Sequence, residues 1–84
     1  MSEHTHLRRL IFQAHDLLRD GSPNGPDGYS GHARDLEGAV GSLMPEFRDL
    51  YRADVDEASD LAAQLYAMAE RERLAYAELD REEG

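Results

Sequence analysis

Apolar residues recur along the chain with a helical period. On a wheel turning about 100° per residue, Phe47, Leu50, Tyr51, Val55, Ala58, Leu61, Ala62, Leu65, Tyr66, Met68, Ala69, Ala75, Tyr76 and Leu79 fall on one face. Leu74 falls on the far side. That stripe predicts a helix over about 45–82 with one buried face. Pro45 suits its first turn, where a missing amide costs nothing, and Glu46 and Asp49 suit its positive end. A second stripe, Leu7, Leu10, Ile11, Ala14, Leu17 and Leu18, predicts a first helix over about 3–19. Ser2 or Thr5 would cap it, and Arg19-Asp20-Gly21 would close it with a left-handed residue. Phe12 lies off that face and is expected against the following loop.

Residues 20–31, with two prolines and four glycines, read as that loop. A shorter helix is expected over about 32–43, capped by Ser30, with Ala33, Leu36, Val40, Leu43 and Met44 inside. Gly38 and Gly41 weaken it by about 1 kcal/mol each relative to alanine. The expected class is therefore all-α, a single domain of three to four helices.

Two acids interrupt the long stripe. Asp54 fits an N-cap with Glu57 three residues on, so a break at 54 is expected as one solution. Glu72 has no such role; either it pairs with Arg8, Arg9 or His15 or with a partner chain, or the stripe has already left the core there. An unbroken helix over 45–82 would measure about 57 Å, against a diameter of about 30 Å for a compact chain of this length. The sequence thus writes more apolar helix surface than one small globule covers. Leu61, Leu65, Met68, Tyr76 and Leu79 are expected on a self-association surface, the bundle being completed by oligomerisation as a homodimer.

The chain has 84 residues and no cysteine, so neither disulfides nor thiolate metal sites can staple it. No apolar run approaches the roughly 20 residues of a membrane helix, and the N-terminus lacks a signal-peptide pattern. A cytoplasmic protein is expected. All 9 basic residues are arginine, a bias that points to a GC-rich bacterial or phage genome.

The net charge of −9 is uneven: residues 1–44 carry 6 acids and 4 arginines, residues 45–84 carry 12 and 5. Direct nucleic-acid binding needs a basic surface that this chain lacks. The expected partner is a protein with a basic patch, met by Asp49, Asp56, Asp60, Glu70, Glu78 and Asp80. The first functional expectation is an adaptor or inhibitor. An alternative is a phage-type DNA mimic, whose carboxylates imitate a phosphate backbone and block a nucleic-acid-binding enzyme. Small acidic phage inhibitors are similar in size and charge.

Metal chemistry has two candidates. Asp20, Ser22, Asn24 and Gly25 occupy positions 1, 3, 5 and 6 of a calcium loop lying between two expected helices. To that extent the stretch resembles an EF-hand, which implies calcium on Asp20, Ser22 and Asn24. Position 12, a bidentate glutamate in that family, is Gly31 here. His4 and His6 could hold a transition metal near the terminus. These make a metal- or calcium-binding module a further alternative. No nucleophile elbow, phosphate loop or dinucleotide fingerprint is present. Ser30 lies in Tyr29-Ser30-Gly31, not in the Asp-Ser-Leu of acyl carrier proteins. A non-enzymatic protein without cofactor is expected.

Overall fold

The computed structural model describes residues 3–83, with side chains from 4 to 78. Four helices follow in order: α1 (Glu3–Asp20), α2 (Pro26–Ser42), α3 (Pro45–Leu50) and α4 (Arg52–Glu83). No strand occurs among the described residues. The all-α class and the long C-terminal helix are as the periodicity predicts.

α1 buries Leu7, Leu10, Ile11 and Ala14, the spacing that puts side chains on one helical face. It ends at Gly21, whose φ of 89° only glycine adopts at no cost, and whose N–H donates to the Leu17 carbonyl at 2.9 Å. Arg19 pairs with Asp16 and Asp20 in the last turn.

α2 begins at Pro26 rather than His32, so the connection from α1 is only Gly21–Gly25. Pro26, Gly28 and Gly31, which read as loop, lie in the helix instead, while Gly21, Pro23 and Gly25 stay in the connection. Pro26 occupies the first turn, where its absent N–H is no loss, and Asp27 follows at the positive end. Tyr29 then turns inward, 2% exposed, and its hydroxyl accepts the Ser22 N–H at 3.1 Å. Ser30 is not a cap. It sits inside α2, 8% exposed, its hydroxyl shared between the Pro26 and Asp27 carbonyls.

The long stripe does break, but at Tyr51 rather than Asp54. α2 and α4 form the largest helix–helix contact, and the chain must cross from the end of one to the start of the other. Neighbouring axes lie about 8–10 Å apart, and the six residues of α3 rise about 9 Å. α3 is that crossing, and Tyr51 (φ −109°, ψ 34°) is the corner. Asp54 falls in the first turn of α4 and caps nothing in the expected way.

The core is shared by α1, α2 and α4: Leu7, Leu10, Ile11 and Ala14 meet Tyr29, Ala33, Leu36, Ala39 and Leu43, and both sets meet Ala58, Leu61, Ala62, Leu65 and Ala69. Alanine-rich faces let the axes approach, while each buried leucine contributes about 1.5–3 kcal/mol. The extra turns of α2 cover α4 up to Arg73, which donates to Ser30 Oγ at 3.2 Å and lies 3.5 Å from Asp27. Coverage stops there. The molecule measures 54 × 19 × 16 Å, and its radius of gyration of 15.0 Å exceeds the roughly 12 Å of a compact chain this long.

Candidate interaction surfaces

Solvent reaches α4 along the side opposite the core. Asp56, Asp60, Glu70 and Glu78 are all exposed there, and Asp49 is exposed on α3. The side chain of Asp80 lies outside the described residues. Exposed Ala63 and Ala67 separate Asp60 from Glu70, a gap of about 15 Å along the axis. Duplex DNA carries one charge per roughly 1.7 Å of axis, so this row is sparse as a copy of a phosphate backbone.

The expected self-association residues divide. Leu61 and Leu65 are 3% and 0% exposed, spent in the chain's own core, and Met68 packs against that core from its edge. Tyr76 is 56% exposed in the same helical phase, beyond the end of α2. The side chain of Leu79 lies outside the described residues. Leu61 and Leu65 are sheltered by the part of α2 that the sequence predicts, around Leu36–Gly41, and the unforeseen first turns extend the cover to Arg73. At the opposite end, Met44, Phe47 and Leu50 are exposed around α3, Leu50 at 68%. The apolar stripe is thus sheltered in its middle and open at both ends.

The acid inside the stripe finds a histidine. His4 Nε2–H donates to Asp54 Oδ2 at 2.5 Å, and the His4 ring stacks on Tyr51 with centroids 3.7 Å apart and planes at 4°. Half-buried, the carboxylate is satisfied by a partner from α1 that lies fifty positions away in the chain. His15 Nε2–H donates to Glu57 at 2.8 Å, and His32 Nε2–H donates to the Leu10 carbonyl at 2.8 Å. Three histidines therefore tie helix to helix. Residues roughly three turns apart on α1 reach positions one turn apart on α4, so α1 lies obliquely over the α2–α4 pair. Glu72 is half-buried at the point where α2 ends, and His15, one of its expected partners, is engaged by Glu57 instead.

Phe12 does not pack on a following loop. The connection is too short to reach it, and the ring is 63% exposed beside a small cleft of about 130 Å³ bordered by Arg8, Ile11, His15, Asp54 and Glu57.

The metal candidates are not brought together. From Pro26 onward the calcium-loop positions belong to α2, so no twelve-residue loop exists to wrap an ion. Asp20 pairs with Arg19, Ser22 Oγ accepts the Asn24 N–H at 3.3 Å, and His4 is committed to Asp54 while His6 is exposed. Among the described residues no group of three or more His, Cys, Asp or Glu is placed to hold a metal.

A polar cluster that periodicity does not reveal joins α2 to α4. The Tyr66 hydroxyl lies with Glu37 and Arg34, and partial burial, then the Glu37 carboxylate, push its pKa above 10.0. A tyrosine on the stripe's edge, facing a Glu and an Arg one turn apart on another helix, is its only sequence trace.

No helix among the described residues is long and apolar enough to cross a membrane. No protein family, curated protein or solved structure matches the chain.

Proposed function

We propose that this chain is a non-enzymatic binding protein, an adaptor or inhibitor, which docks a basic surface of another protein and also associates with itself. The observation that carries the reading is the division of α4 into two sides. One side is spent on the core between Val55 and Ala69; the other offers Asp56, Asp60, Glu70 and Glu78 to solvent without any buried work to do. Charges so placed steer and orient a partner of opposite sign more than they stabilise their own fold. The apolar groups left open at either end, Phe47 and Leu50 at one and Tyr76 at the other, are the means of self-association.

The test is capture on the immobilised chain, compared with the variant Asp56→Asn, Asp60→Asn, Glu70→Gln and Glu78→Gln together. Under this reading a basic partner held by the native chain elutes at moderate salt and is lost by the variant, whose helix content is unchanged. An identical set of proteins captured by both would refute the acidic docking face. Competition of that partner by duplex DNA would favour mimicry over the plain adaptor.

A further inference from the structure

We infer that the chain dimerises by exchange: in the dimer α3 and α4 form one continuous helix, and the α1–α2 hairpin of each copy packs on α4 of the other. The inference deepens the self-association proposed above and names its occupant as a second copy of this chain.

Three observations carry it. First, the hydrophobic phase passes through the corner without slipping: Phe47 and Tyr51 lie on the same wheel line as Ala58 and Leu65. A sequence built for a bent connector has no reason to keep that register. Second, the corner is a single residue. Tyr51 alone departs from helical geometry, yet its N–H donates to the Phe47 carbonyl at 2.9 Å and its carbonyl accepts the Val55 N–H at 3.0 Å. The same residue thus closes α3 with its N–H and opens α4 with its carbonyl, so straightening asks for a change at one residue. Third, α3 buries none of its residues, and Met44, Phe47 and Leu50 stand exposed around it. The connector buries no side chain against its own bundle and is held there by the His4 ring stacked on Tyr51 and by Arg48, which donates to the Gly41 carbonyl at 3.0 Å.

Exchange re-forms every hairpin–α4 contact with the partner's α4, so the core terms cancel between monomer and dimer. What remains is the difference at the connector. The continuous helix, residues 45–83, runs about 58 Å. It returns Phe47 and Tyr51 to the apolar line, where two antiparallel copies cover each other. Against this stand the lost freedom of two bodies and the repulsion between two chains of net charge −9. Salt screens the repulsion, so the dimer grows with concentration and with ionic strength.

The test uses the absence of native cysteine. His15 and Glu57 face each other across the hairpin–α4 seam at 2.8 Å, and both are about half exposed, so replacing them costs little. The double variant His15→Cys, Glu57→Cys is concentrated at high salt, separated into monomer and dimer by size, and treated with a short bismaleimide. Exchange predicts chain-to-chain cross-links in the dimer fraction and intrachain cross-links in the monomer fraction. A dimer cross-linked only within chains overturns the exchange while leaving self-association standing; no dimer under any condition overturns both. As a second readout, Tyr51→Ala favours the continuous helix over Tyr51→Gly by about fivefold per chain. Equal dimer constants for the two variants would also overturn the exchange.

Discussion

Gly28 stands where the first turn of α2 passes the connection from α1, and a Cβ built there would meet Ser22 Oγ at 2.0 Å. Gly28→Ala therefore drives Ser22 Oγ from the position in which it accepts the Asn24 N–H and costs about 1 kcal/mol. Gly38→Ala, with nothing within 4 Å of the added Cβ, is expected to stabilise by close to 1 kcal/mol. Urea denaturation of the two variants gives opposite signs under this account. Tyr66 supplies a pH test. Its pKa is raised in the folded chain, chiefly by burial and then by Glu37. The folded state resists ionising it, so its contribution is intact below about pH 10 and is lost as pH rises through the higher folded value. Tyr66→Phe should lose less stability than the native chain over that alkaline window, and difference absorbance should show one tyrosine titrating late. What was legible at this scale depended on range. Gly21 as a helix stop is a local property and reads directly. The need for glycine at 28 is set by Ser22 meeting it in space, so the same residue type there reads as a loop.

At the scale of elements, α1 and α4 were written in their periodicity, while α2 was half hidden. Its first two turns carry Pro26, Gly28 and Gly31, which propensity counts against a helix. Tertiary packing of Tyr29 and Ala33 wins over that penalty. The consequence reached α4: because α2 is longer, its cover of the stripe extends to Arg73. The break near the start of the long stripe was legible as a conflict between length and domain size. Its position at Tyr51 was not, because it is set by where the chain finishes crossing from α2. His4 holds that corner. His4→Ala removes the ring stacked on Tyr51 and leaves half-buried Asp54 without its donor, a loss of about 1–3 kcal/mol. Amide exchange should accelerate around residues 51–55 more than around 61–69. A uniform effect along α4 would mean that His4 has no special hold on the corner.

For the whole molecule, the decisive feature is how far one chain can cover a stripe this long. α1 and α2 shelter it from Val55 to Ala69, and Arg73 marks the limit of α2 on α4. Past that limit Tyr76 is open, and before it Phe47 and Leu50 are open, at the two ends of a rod 54 Å long. That Asp56, Asp60, Glu70 and Glu78 face solvent was legible as a charge pattern, since the solvent side of an amphipathic helix can be read from its phase. The partner that would meet them was not, because exposed carboxylates say only which sign they attract. The claim on which the account rests is that the open ends draw two copies together. Sedimentation equilibrium across a concentration series, at low and high salt, tests it most directly. The account predicts a reversible monomer–dimer equilibrium that shifts toward dimer as either rises. A single 9.4 kDa species under all these conditions would contradict it.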